Sequence, residues 1–164
     1  MSPPRKLKVD LGTLAESMQG MGGEEVQEYL DLRTGELHLL DDALLGAVED
    51  EDTEALPDWQ RDMIPIAEAV LAKDENLVEV PRLESRDSFE VMRDFIEQLK
   101  DPAARDRLNE AIAGRKPFRQ FKDALEAFPA IRERWFAFEA EEYERLAREW
   151  LEEVGVKPID AGRE

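Results

Sequence analysis

Cysteine is absent from this 164-residue chain. That excludes disulfides, thiolate nucleophiles and thiolate-bound metals, and it accords with a reducing compartment. There is one histidine, His38, with no serine or second histidine arranged around it, so neither a nucleophile–base pair nor an imidazole metal site is visible. No apolar run approaches the roughly 18 residues of a membrane span, and no secretory signal is found. Acidic residues crowd positions 41–58 (Asp41, Asp42, Glu49, Asp50, Glu51, Asp52, Glu54, Asp58). This stretch lacks the central glycine and ligand spacing of a calcium loop, and it reads as a solvated acidic connection. The absences together point to a cytoplasmic, non-enzymatic protein with no metal, no cofactor and no membrane contact.

What the chain has in quantity is negative charge. It carries 40 Asp and Glu against 22 Lys and Arg, a formal net charge of −18. Residues 1–82 hold 20 acidic and 7 basic side chains, a balance of −13; residues 83–164 hold 20 and 15, a balance of −5. Such a field repels polyphosphate, so duplex DNA is not an expected partner.

Periodicity divides the chain into an acidic, sheet-containing subregion over 9–82 and a helical subregion over 83–155, within a single domain of residues 1–164. Met1 to Lys8 reads as a frayed end. Leu11, Leu14 and Met18 follow Asp10 at helical spacing, and Gly20 to Gly23 break that helix. Tyr29-Leu30-Asp31-Leu32 and Leu37-His38-Leu39-Leu40 flank Arg33-Thr34-Gly35-Glu36, which reads as a hairpin with Gly35 in the left-handed region. On this reading Leu37 and Leu39 share the buried face, and Asp31 stays outside. Trp59, Met63, Ile66 and Val70 suggest a helix that Pro65 kinks or splits. Leu77 to Val80 reads as a third strand. Four helices follow: one capped by Asp87 with Glu90; one opened by Asp101-Pro102; one striped by Phe118, Phe121 and Leu125; and a long one from Pro129 to Gly155 carrying Trp135, Tyr143 and Trp150. Val156 to Asp160 is a tail or an added edge strand. The fold class is α+β: a small antiparallel sheet of about three strands with helices, followed by a mainly helical C-terminal half.

The segment from Gly114 to Asp123 concentrates four cations and two phenylalanines. On a helix beginning near Pro117, Phe118 and Phe121 share one face and act, with Trp135, as anchors in the core. Arg119 and Lys122 lie about 100° away. Arg115 and Lys116 precede the first turn, where free backbone N–H groups favour an anion. Arg115, Lys116, Arg119 and Lys122 are therefore the candidate binding residues, for another protein or for a phosphate-bearing ligand such as a nucleotide or RNA. The competing reading makes them a structural staple, paired with the glutamates of the last helix.

Tyr29-Leu30-Asp31-Leu32 with Thr34-Gly35-Glu36, Asp87 to Met92 with Phe95-Ile96, Gly114-Arg115 with Phe118-Arg119 and Phe121-Lys122-Asp123, and Trp135-Phe136 with Phe138 together resemble an uncharacterised bacterial protein family, UPF0158. The resemblance runs from about residue 8 to residue 160. It implies a small soluble bacterial α+β protein and carries no activity with it.

Overall fold

Gly35 sits at the tip of the hairpin with φ +84°. The computed structural model describes residues 3–20 and 25–159. Strands β2 (Val26–Asp31) and β3 (Leu37–Asp41) pair antiparallel, with Tyr29 opposite His38 and Leu30 opposite Leu37. Strand β4 (Leu77–Glu79) lies on the other side of β2, also antiparallel, which gives a sheet of order β3-β2-β4. A second sheet, parallel, joins Arg5–Lys8 (β1) to Val156–Ile159 (β5). Arg5–Lys8 is thus a strand within the segment expected to be a frayed end, of which Met1 and Ser2 lie outside the described residues. Its four residues alternate too weakly to announce pairing, and the partner lies about 150 positions along the chain.

Eight helices accompany these strands among the described residues: α1 (Leu11–Met18), α2 (Asp42–Glu49), α3 (Asp58–Arg61), α4 (Ile64–Leu71), α5 (Ser85–Gln98), α6 (Pro102–Ala113), α7 (Pro117–Leu125) and α8 (Pro129–Glu153). The fold is α+β. The chain forms two compact units, one of residues 1–82 with 146–164 and the other of residues 83–145. No described helix is long and apolar enough to cross a membrane.

In the first unit, the buried face of β3 differs from the alternation expected. Leu40 is fully buried, while Leu39 is 51% exposed. Leu40 packs with Leu44, Leu45 and Ala67 from α2 and α4. The acidic stretch explains this choice, because half of it is helix α2 and not a loop. Asp41 caps α2 by accepting the Leu44 N–H at 2.6 Å, and its other oxygen accepts from the Gln60 amide at 2.7 Å. Capping satisfies one of the free donors of the first turn, and it turns Leu44 and Leu45 onto the strand. Asp31, expected outside, is buried. Its carboxylate accepts from the Arg33 backbone at 2.8 Å and from the Arg33 side chain at 3.3 Å, which closes the loop that leads to Gly35. Pro65 separates α3 from α4, as its missing donor requires. Trp59 is 72% exposed and does not join the core. His38 is half-buried; its Nε2 makes no hydrogen bond among the described residues and lies 3.9 Å from a Glu36 carboxylate oxygen. Met21 to Gly23 of the expected glycine break, and Asp160 of the expected tail, lie outside the described residues.

In the second unit, α5 begins one turn earlier than Asp87 suggests. Glu84 is the capping residue, and the Asp87 carboxylate accepts the Glu84 N–H at 2.9 Å from the third helical position. Asp101 caps α6 through the Ala103 and Ala104 N–H groups, with Pro102 in the first turn. Helix α8 runs unbroken from Pro129 to Glu153, and Gly155 at φ +78° follows its end. Trp135 and Tyr143 are buried; Trp150, on the part of α8 that belongs to the first unit, is half-buried.

Gly35 supplies the first prediction. A Cβ there would lie 2.4 Å from the Lys8 carbonyl oxygen, and the left-handed φ is itself unfavourable for a side chain. Gly35→Val is expected to lose more than the about 1–3 kcal/mol that left-handed strain costs a non-glycine residue, because the backbone of β1 must also move away. Urea unfolding measures this. A midpoint unchanged from the parent would place the turn elsewhere.

Candidate functional site

Pro117 controls the local backbone of the basic turn. It occupies the first turn of α7 and contributes no N–H. Its ring also disfavours the right-handed conformation for the preceding residue. Lys116 nevertheless sits at φ +51°, ψ +57° as the N-terminal flanking residue of α7, outside the extended region that a following proline favours. Glu51 and Lys73 share that conformation, but they follow the C-termini of α2 and α4, where left-handed residues are common. Lys116 is instead held left-handed at a helix start, in the middle of the cluster.

Arg115, Lys116, Arg119 and Lys122 are all exposed. Among the described residues, none of them comes within 4.0 Å of a carboxylate, whereas Arg33, Arg61 and Arg145 each do. The pairing with glutamates of the last helix that a staple requires is not present. Lys122 comes nearest to it, because its charge acts on Glu139 of α8 without closing an ion pair.

The two phenylalanines part company. Phe121 is buried at 1% exposure, with its ring edge-on to Trp135 at 4.8 Å between centroids. Phe118, expected as a second anchor, is 37% exposed. The reason is angular. Helix α7 is only nine residues long, and its buried stripe runs through Phe121, Ala124 and Leu125. Phe118 lies one turn before that stripe and at its edge. Trp135 is buried as expected and also meets Phe95 edge-on at 5.3 Å.

Beside this stack the second unit has an open groove of about 320 Å³. Helix α7 lines it with Phe118, Phe121 and Lys122, α5 with Ser88 and Met92, and α8 with Trp135, Glu139 and Tyr143. Three helical stripes at i, i+3 or i+4 spacing converge there. The groove therefore brings Phe118, Phe121, Lys122 and Trp135 together. Arg115, Lys116 and Arg119 are not part of its lining.

Three polar groups of the groove could not be singled out in advance: Ser88, Glu139 and Tyr143. The Tyr143 hydroxyl donates to Ser88 Oγ at 3.1 Å. Burial pushes the Tyr143 phenol above its ordinary range, and the Glu139 and Asp87 charges add to that shift while the Ser88 bond opposes it. Burial likewise raises the Glu139 carboxyl, with the Lys122 ammonium opposing. The available signal was the spacing Trp135–Glu139–Tyr143, which puts a carboxyl between two aromatic rings on one stripe of α8. It is legible only once that stripe is known to face a groove.

Two predictions follow from this geometry. Phe121→Ala is expected to cost about 3–5 kcal/mol, the range for a fully buried ring. Phe118→Ala, at a partly exposed position, should cost well under half as much. Denaturant unfolding of the two variants tests the order, and equal losses would contradict the split between them. The second concerns pH. Because the folded-state pKa of Glu139 is raised, the folded protein holds its proton longer than the unfolded chain does. The associated stability is present below the ordinary value of 4.5 and is lost as pH rises through the raised value. Glu139→Gln removes that loss. Its stability relative to the parent should therefore improve from acid toward neutral pH in melts recorded at several pH values. A difference that is flat with pH would refute the shift.

The profile of the uncharacterised protein family UPF0158 matches residues 19–161, a span that contains the hairpin, the basic turn and every residue of the groove. The UPF0158 protein PA5073 of Pseudomonas aeruginosa is 28% identical over 155 residues, covering 94% of this chain and 88% of that protein. No solved structure matches the chain. A family match over this length shows what the motifs at the hairpin, α5, α7 and α8 suggested: the chain belongs to the uncharacterised protein family UPF0158.

Proposed function

We propose that this protein is a non-enzymatic, cytosolic interaction or regulatory protein, and that the basic turn at residues 115–122 docks an acidic segment of another protein. One observation carries the reading. In a chain with 40 acidic side chains, the four cations Arg115, Lys116, Arg119 and Lys122 stay exposed, and among the described residues none is in an ion pair. Cations outside any ion pair are free to make charge-assisted bonds to carboxylates brought by a partner. Lys116 holds a left-handed backbone conformation in the middle of the cluster.

The net charge of −18 opposes an acidic partner as well, so range decides. The Debye length at physiological salt is about 8 Å. A short acidic segment held at the turn feels the four cations, with the exposed Asp123 the adjoining opposing charge. A long duplex extends past the turn over acidic surface and is repelled. That contrast favours a peptide segment over extended nucleic acid. A single phosphate of a nucleotide or of RNA is the competing occupant.

The test is a fluorescence titration with a polyglutamate peptide, a short single-stranded RNA, ATP and duplex DNA at physiological ionic strength. The polyglutamate peptide is expected to bind, to weaken with added salt and to be lost in the Arg115→Glu, Arg119→Glu double variant. That variant should melt within a few degrees of the parent, since surface substitutions usually stay within about 0.5 kcal/mol. Preferential binding of RNA or ATP would replace the peptide reading with the phosphate one. Unchanged peptide binding by a clearly destabilised variant would make the turn structural.

A further inference from the structure

We infer that the groove beside the basic turn receives one bulky apolar side chain of the acidic partner, so that turn and groove form a single bipartite site. The inference rests on the docking role proposed for the turn, and it specifies what the partner must carry.

Lys122 and Phe118 join the two parts. Lys122 belongs to the cation cluster and also lines the groove. Phe118 lies one turn earlier on the same stripe of α7 and leaves 37% of its surface exposed at the same place. An exposed phenylalanine between unpaired cations contributes little to folding, but it offers contact area to a chain lying along the turn. Trp135 and Met92 continue that apolar surface inward.

The polar groups of the groove define the occupant further. Tyr143 and Ser88 are bonded to each other at 3.1 Å, so their wall asks for no further hydrogen bond. Glu139 is a carboxyl that burial already penalises when charged. A second carboxylate beside it would meet both repulsion and desolvation. The groove thus rejects the acidic groups of the partner and leaves them to the cations at its rim, while its interior suits a neutral, apolar group. Its volume of about 320 Å³ is at the small end of ligand sites, which run from about 300 to 1,000 Å³. That is room for a phenylalanine, leucine or methionine side chain. A deep anchor surrounded by charged contacts is a recurrent arrangement at interfaces, and most of the affinity then resides in the anchor.

Selection of displayed random peptides against the full chain tests the inference. The enriched peptides should combine several Asp or Glu with one bulky apolar residue. Replacing that residue by alanine in a synthetic copy should weaken binding by more than about tenfold, as for an interface hot spot. Phe118→Ser should reduce the affinity for the anchored peptide by a similar factor, leave the alanine-substituted peptide unaffected, and lower the melting temperature far less than Phe121→Ala does. The Trp135 indole resonance in an NMR titration should shift with the anchored peptide and not with the alanine form. Acidic peptides that bind equally well without the anchor would overturn the groove's role and leave the basic turn standing. Apolar peptides selected without acidic residues would overturn the bipartite site together with the docking role of the turn. A selection that enriches nothing would overturn both.

Discussion

The second unit depends on Trp135. Its indole is edge-on to Phe121 at 4.8 Å and to Phe95 at 5.3 Å, and Phe138 lies 6.4 Å away. One ring therefore ties α7 and α5 to α8. Aromatic pairs in such offset or edge-on arrangements contribute about 0.5–1.5 kcal/mol beyond their burial. Their directional preference also sets the rotation of each helix. That rotation leaves Phe118 and Lys122 on one side of the stack, level with Ser88, Glu139 and Tyr143. The groove is a by-product of how three helices grip a single tryptophan.

The first unit obeys a different constraint. Its hairpin turns so closely against β1 that only hydrogen fits at the Gly35 α-carbon, with the Lys8 carbonyl 2.4 Å from where a Cβ would be. Arg5 crosses from the same strand to the loop, donating to the Leu32 carbonyl and the Asn76 side chain at 3.1 Å each. Arg33 spans Asp31 and Asp74. Its guanidinium is stabilised first by the Asp31 bond and then by the Asp74 charge, and Asp74 is lowered chiefly by the Asn76 backbone N–H. These contacts are partly exposed, so each adds little energy. Together they define the loop's path, and the acidic residues nearest the turn are consumed in doing so.

Charge is thus used differently along the chain. Asp10, Asp41, Asp101 and Asp87 satisfy backbone donors at helix starts. Among the described residues, none of the four cations at 115–122 closes an ion pair, although the Lys122 charge acts on Glu139. They adjoin the exposed Phe118, and Lys122 also lines the open groove.

The boundaries of many elements were legible in the sequence because their causes are local. Proline cannot donate, so Pro65 splits a helix and Pro102, Pro117 and Pro129 begin others; glycine tolerates positive φ, so Gly35 marks the turn and Gly155 the end of α8. The burial of Phe121 and Trp135 followed from periodicity. Tertiary structure decided the rest. The choice of Leu40 over Leu39 for the core came from helix α2, which the density of acid in residues 41–58 concealed. The pairing of β1 with β5 joins residues at opposite ends of the chain, and nothing in four residues of either announces the other. Ser88, Glu139 and Tyr143 each occupy an unremarkable position on its own helix. Only the packing of α5, α7 and α8 brings them to one groove, because periodicity specifies which face of a helix is buried and not what that face will meet.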